Sequence, residues 1–309
     1  MLNLERLRVL HIVHTAGSIT GAARALHVTA SAVSQQLTRL EREVGQRLLE
    51  PRGRGVRLTE AGLLLAVEAV GLLGHVERVE ADLAAHRLTV AGPLRIAAFA
   101  TAVRGIVAGA AADLRAGHPE LALSVSELEP PEAIAVLRIG DLDVAVVQDW
   151  PDRELSVPAE LSRRHLADDV FDLAVPASHP LATGRPLSLD DLATQTWITW
   201  TDGQLCHGWF TGVLAGRPAA GRLGHTAAEH STQLALVAAG LGIAVVPRLG
   251  REPVTSAVVL VPLDPPPVRR IHALWRTGAT NRPAIRAALD TLTAHARQPT
   301  GGGQPDRSA

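Results

Sequence analysis

Among its 309 residues the chain has no lysine and no tyrosine, and a single cysteine, Cys206. Without lysine there is no phosphate-binding loop ending in Gly-Lys and no Schiff-base chemistry on a lysine amine. One cysteine makes no intrachain disulfide, which fits a reducing cytosol. No G-x-S-x-G, H-E-x-x-H or dinucleotide fingerprint occurs. Long apolar runs are scarce: residues 61–74 are interrupted by Glu68 and too few to span a bilayer. Glu5, Arg6 and Arg8 break the apolar core that a signal segment needs. A soluble, cytoplasmic protein with no membrane partner is expected. His11 and His14 have the spacing of a metal pair, but no third ligand neighbours them. The expectation is therefore no catalytic residues, no metal and no cofactor.

What is present is ordinary globular composition, 47% hydrophobic and 20% charged. All 30 basic residues are arginine, and they are unevenly placed. Residues 1–58 carry nine arginines against four acids, a charge of +5; the remainder carries 21 against 27, a charge of −6. A basic block on an acidic body points to a polyanion as the partner of the N-terminal block.

Leu4, Leu7, Leu10 and Val13 predict an amphipathic helix that Gly17 ends. Ser18 or Thr20 can cap a short second helix, and Thr29 caps a third that Gly45 stops. On the third, Val33, Leu37 and Leu40 share one face. Ser31, Gln35, Thr38 and Arg42 lie opposite, flanked by Ser34 and Arg39. That arc suits contacts to base edges and phosphates, and equally a solvated face. Gly53 and Gly55 predict a hairpin whose tip carries Arg52 and Arg54, suited to a phosphate backbone or simply a basic loop. Thr59 caps a long helix to about residue 88. There Leu65, Ala69, Leu72, Val76, Val79 and Leu83 alternate at spacings of four and three, a heptad seam for pairing two chains or for packing on the protein's own body.

Gly92-Pro93 opens a region where strands and helices alternate. Strands are expected at 94–99, 121–128, 142–147, 171–175, 197–200, 242–246 and 271–275, and helices at 102–116, 131–138, from about 203, at 231–239 and at 283–296. Such alternation implies parallel sheets covered by helices. Residues 298–309, rich in Gly and Pro, read as a disordered tail.

The stretch GSITGAARALHVT over residues 17–29, continuing through Ser31-Ala32-Val33-Ser34-Gln35-Gln36-Leu37, Leu40-Glu41 and Gly45, resembles the helix-turn-helix of LysR-type transcriptional regulators. The arginine-rich RGRGVRLTEAG over 52–62 is similar to that family's wing, and LVAAGLGIAVVP over 236–247 to a segment late in its effector domain. The resemblance implies a winged helix-turn-helix (1–58), a linker and dimerisation helix (59–89) and an α/β effector domain (90–297). The last would comprise two subdomains like periplasmic binding proteins, one of about 90–163 plus 268–297 and one of about 164–267, with chain crossings near 162–166 and 266–270. It implies a homodimer or homotetramer, double-stranded DNA and RNA polymerase as partners, and a small-molecule co-inducer between the subdomains.

Residue by residue, the resemblance implies DNA contacts from Thr29, Ala30, Ser31, Ser34, Gln35, Thr38, Arg39, Arg52 and Arg54. Many members have Ser-Gln-Pro where this chain has Thr29-Ala30-Ser31, and Ala30 makes no bidentate contact to adenine. Specificity then rests more on Ser31, Ser34, Gln35, Arg39 and the arginine wing. Effector contacts are expected at strand ends and helix N-termini: Ala100, Thr101 and Ala102 on one side, and Thr199, Trp200, Thr201, Ala228 and Glu229 on the other, with Trp150 as a cleft or hinge residue. Thr101 also suits a plain helix cap. Some members sense oxidants through paired cysteines; Cys206 alone reads as an inert thiol. An enzyme and an exported solute-binding protein are the alternatives, opposed by the missing motifs and by the basic head.

Overall fold

The computed structural model describes residues 2–53, 55–86, 89–215 and 221–297. The expected tail at 298–309, Arg54 at the hairpin tip and the predicted helix end at 87–88 lie outside them. α1 (Leu4–Ala16) is capped by Asn3 and ends at Gly17, whose φ of 68° needs no Cβ to be accommodated. α2 (Ile19–Ala25) is capped by Ser18, and α3 (Ala30–Val44) by Thr29, each side-chain oxygen accepting from a backbone N–H of its first turn. Leu7, Leu10, Val13, Val33, Leu37 and Leu40 meet in one core. β1 (Leu49–Arg52) and β2 (Gly55–Leu58) form an antiparallel hairpin tied to α3 by Glu41, which accepts from the N–H groups of Leu48 (2.8 Å) and Leu49 (3.1 Å).

α4 (Glu60–His86) is a 27-residue helix, about 40 Å long. Thr59 caps it, accepting from Gly62 N at 3.0 Å. The expected seam does not stay on one side. Ala69 is fully buried in the head core with Leu65 packed beside it, whereas Leu72, Val79 and Leu83 are exposed. The exposed apolar line begins instead at Leu63, Leu64 and Val67. The first turns of α4 must cover α1, and a 3.6-residue helix turns away from a strict 3.5 repeat. Further along, Glu77 accepts from Arg276 (2.7 Å) and Asp82 from Asn281 (2.7 Å), fixing the helix to the body.

The body follows as β3 (Gly92–Ala98), then α5 (Ala100–Ala102), running through a π-helical turn (Val103–Val107) into α6 (Ala108–Gly117). Next come β4 (Leu121–Glu127), α7 (Pro130–Ile139), β5 (Val144–Asp149) and the 16-residue β6 (Leu161–Pro176). After a 3-10 turn (Leu189–Leu192) come β7 (Thr196–Thr199), α8 (Leu205–Leu214), β8 (Arg222–Thr226), α9 (His230–Ala238), β9 (Ala244–Pro247) and β10 (Val258–Pro262). β11 (Val268–Arg276), a 3-10 turn (Thr277–Ala279) and α10 (Pro283–Ala296) close the described chain.

Among the described residues the main sheet runs β10-β6-β11-β5-β3-β4, with β9 also on β6. Only part is parallel as expected: β4, β3 and β5 run together and β7 pairs parallel with β8, but β6, β9, β10 and β11 join antiparallel. The reason is topological. β6 carries the chain from one half of the body to the other and β11 brings it back, so the two run in opposite directions. β6 pairs with β11 through Val170, then with β9 and β10 from Phe171, so its change of partner falls later than residues 162–166. The return lies between Pro262 and Val268.

Candidate functional site

The head has one outward face made by α3. Its inner positions, Val33, Leu37 and Leu40, are locked in the core, so the opposite residues have no choice but to project. Thr29, Ala30, Ser31, Gln35, Thr38 and Arg39 are exposed and Ser34 half-buried. Ser34 and Thr38 donate to the carbonyls of Ala30 (2.9 Å) and Ser34 (3.0 Å), which leaves their oxygens as acceptors. Gln35 and Arg39 add exposed nitrogen donors to this face. Arg52 is exposed at the end of β1. Three of the head's four acids are occupied elsewhere. Glu43 pairs with Arg6, Glu50 with Arg57, and Glu41 holds the wing backbone.

Between the halves of the body the organising residue is Arg269, fully buried on β11. It donates to Asp169 (2.8 Å), Gln148 (2.5 Å) and the Thr101 hydroxyl (2.7 Å), and lies over the rings of Phe99 and Phe171. Gln148 in turn donates to Cys206 Sγ at 3.3 Å. A lone buried guanidinium is strongly unfavourable, and here Asp169 neutralises it. Thr101, expected as an effector contact, is held by this network as well as lining the cleft. Ala100 stands beside it half-buried, and Ala102 points into the core.

On the other side Thr199 is fully buried and its Oγ1 has no partner. Thr201 donates to Gln204 (2.8 Å), and Ala228 and Glu229 are exposed where α9 begins. The tryptophans differ from expectation. Trp150 is fully buried, stacked on Trp209 with centroids 5.1 Å apart, and Trp200 is buried edge-on to Phe171 and Phe210. Both are core residues of the second subdomain, because flat rings gain most where both faces are covered. Trp200 does stand edge-on to His230 at 5.6 Å, at the rim of the cleft. Burial, then the charges of Arg269 and Arg104, lowers the His230 pKa to about 3. Burial raises the Cys206 pKa to about 11.

Sequence reasoning passed over Arg269, Asp169, Arg104 and His230. The signal for the first was a charge set inside the apolar strand VRRIHALWR, a residue type that stays buried only when paired.

Cleft and head are joined by α7. Its N-cap, Glu129, lies near Arg269, and burial, outweighing the Arg269 charge, raises its pKa. About 15 Å away, its last residue Ile139 enters the head's hydrophobic core and its carbonyl accepts from Arg8 (3.0 Å). Arg8 also reaches Asp141 at 3.0 Å.

Residues 4–63 match the family described as bacterial regulatory helix-turn-helix protein, lysR family, and residues 87–297 match the LysR substrate binding domain. A hydrogen peroxide-inducible genes activator of Pectobacterium carotovorum is 28% identical over 297 residues, covering 95% of this chain and 97% of that protein. The HTH-type transcriptional regulator TtuA of Agrobacterium vitis is 29% identical, covering 78% of this chain and 79% of that protein. Full-length OxyR from Pseudomonas aeruginosa shares the fold, with TM-score 0.64 and 21% identity over 95% of this chain and 98% of that one. These relatives are regulators rather than enzymes, and the chain belongs to the LysR family of transcriptional regulators, with a helix-turn-helix head, a long helix and an α/β effector domain.

Proposed function

We propose that this regulator binds promoter DNA as a dimer or a dimer of dimers, with residues 1–58 as the reading head, 59–89 as the pairing helix and 90–297 as the sensing body. α3 enters the major groove, Gln35 and Arg39 reading base edges with help from Ser31 and Ser34. Thr29, Ala30 and Thr38 lie along the contact, and Arg52, together with Arg54, tracks the phosphate backbone. The observation that carries this reading is the division of α3. One face is fully buried, and the other holds donors and acceptors beside an exposed arginine wing. The exposed apolar residues Leu64, Val67, Leu72 and Leu83 on α4 supply the pairing surface.

A small molecule entering between the subdomains, at Thr101 and the start of α9, changes how the heads are held. No helix among the described residues is long and apolar enough to cross a membrane. As a promoter-binding regulator the protein is assigned to the cytoplasm, beside RNA polymerase. A mobility-shift titration of the full chain at low salt, on the DNA upstream of its own gene or of a divergent neighbour, tests the reading. Retardation by a folded dimer on an interrupted palindrome is expected, and none at any protein concentration contradicts it.

A further inference from the structure

The wing is anchored at its root and open beyond it. Leu48 is buried in the head core, and Leu49 and Leu58, paired across β1 and β2, pack at the edge of that core. Past that pair Arg52, Gly55, Val56 and Arg57 are exposed. An open groove of about 310 Å³ lies between the hairpin and the end of α1, lined by Val13, His14, Ser18, Arg52 and Val56. The Glu50–Arg57 ion pair ties the two strands to each other. A hairpin built this way points where its root sends it.

The root is held from two sides. From the α4 side, Thr59 donates its N–H to the Leu48 carbonyl (2.9 Å) and its hydroxyl to the Arg47 carbonyl (2.8 Å). Gly62 leaves no room for a Cβ beside the same Leu48 carbonyl. From the α3 side one carboxylate oxygen, Glu41 Oε1, accepts from both the Leu48 N–H (2.8 Å) and the Leu49 N–H (3.1 Å). Hydrogen bonds to an ionised carboxylate are the stronger kind. Glu41 is carried by the helix whose outer face holds Gln35 and Arg39, two residues beyond the latter. The wing root is thus fixed directly to the recognition helix.

We propose that Glu41 is a positioning residue for DNA recognition. Through the Leu48 and Leu49 N–H groups it sets where Arg52, and with it Arg54, meets the phosphate backbone while Gln35 and Arg39 engage the groove. The proposal rests on reading α3 and the wing as the DNA contact, and adds what holds one in register with the other. Side-chain length is then what matters, and charge is not. Aspartate keeps the charge but draws the carboxylate back by one C–C bond, so the N–H groups lose their acceptor or the root shifts after it. Glutamine loses the charge but keeps the length and an oxygen able to accept both N–H groups. A mere acid near phosphate predicts the reverse order, with glutamine binding tighter and aspartate unchanged.

Fluorescence anisotropy of the full chain on operator DNA over a salt series tests it, with the parent, Glu41→Asp, Glu41→Gln, Arg52→Ala, and Glu41→Asp together with Arg52→Ala. Glu41→Gln is expected to keep the parent's affinity and salt slope. Glu41→Asp is expected to bind about tenfold more weakly at about 0.1 M salt, with the slope lower by about one to two and the base preference set by Gln35 unchanged. Added to Arg52→Ala, Glu41→Asp is expected to cost much less than tenfold, since the wing contact is already lost. Amide hydrogen exchange adds a measurement on the parent itself. Leu48 and Leu49 should exchange as slowly as Leu37 and Leu40 of the core, and about tenfold faster in Glu41→Asp.

The proposal is overturned if Glu41→Asp binds like the parent, if Glu41→Gln loses as much as Glu41→Asp, if the losses of Glu41→Asp and Arg52→Ala multiply in full, or if Leu48 and Leu49 exchange in the parent as fast as the exposed hairpin. Each of these leaves the DNA reading standing so long as Arg52→Ala lowers the salt slope. A folded parent that does not bind DNA strikes that reading, and the proposal with it.

Discussion

Arg8, on the first helix of the DNA head, donates to Asp141 of the effector domain at 3.0 Å and to the Ile139 carbonyl at 3.0 Å. The head is thereby docked on the end of α7, whose other end meets the cleft. Both partners of the ion pair are about a third exposed, so its worth in stability is small, about 0–1 kcal/mol. Its worth in coupling is separate. Asp141→Ala is expected to leave the thermal midpoint nearly unchanged, to speed hydrogen exchange in α1, and to reduce the effect of effector on DNA affinity. Measuring DNA affinity with and without effector checks this, and unchanged coupling would make the contact passive.

The dimer surface yields a contrast between two substitutions on one helix. Leu83 is 62% exposed and Ala69 fully buried in the head core. Leu83→Glu is expected to give folded monomers by light scattering, with weaker DNA binding. Ala69→Glu is expected to unfold the head, because an unpaired carboxylate enters an apolar core. The opposite pattern would place the seam back on Ala69.

This division also shows what sequence alone could carry. The caps at Ser18, Thr29 and Thr59 and the stops at Gly17 and Gly45 were legible because their causes are local. α10 was legible at both ends from its apolar spacing. The first half of β6 was not: LSRRHLADDV looks polar, and two of its charges are satisfied by distant residues, Arg164 by Asp290 and Asp169 by Arg269. The face on which each residue of α4 would lie depended on α1 and on Arg276, neither visible in a heptad count. Trp150 and Trp200 were expected at the cleft, but their burial is decided by Trp209, Phe171 and Phe210, brought together only by the fold.

Acid should unfold the body through Asp143. Burial pushes the pKa of this carboxyl up, but hydrogen bonds from the Arg95 side chain and backbone and the nearby Arg282 charge outweigh it and hold it below its usual value. A depressed carboxylate stabilises the folded chain above its unfolded pKa, and this is lost as pH falls through the folded value. Asp149 and Asp172 are lowered similarly, by Arg270 and by Arg248 with Arg251, against their own burial. Denaturation midpoints are expected to be level from neutral pH to about 5 and to drop below about 4. Asp143→Asn is expected to cost about 3 kcal/mol at pH 7 and to flatten the fall. An unchanged acid profile would remove Asp143 from this role.

Cys206 is a free thiol buried in the aromatic core of the second subdomain. With its pKa raised to about 11 by burial, the thiol is only about one part in ten thousand thiolate at pH 7. Hydrogen peroxide is expected to leave the thiol unoxidised by mass spectrometry and DNA affinity unchanged, and Cys206→Ser to bind DNA like the parent. Rapid oxidation with altered DNA binding would show a reactive thiol.

The central claim is that the outer face of α3 reads sequence while the arginine wing holds the backbone. Fluorescence anisotropy of the parent, Gln35→Ala and Arg52→Ala on the operator and on a panel of single-base variants, at several salt concentrations, tests it most directly. Gln35→Ala should relax preference at one base position, by about 1–3 kcal/mol, with the salt dependence kept. Arg52→Ala should weaken binding to every duplex alike and lower the salt slope by about one. Equal, sequence-blind losses for both variants would contradict the account.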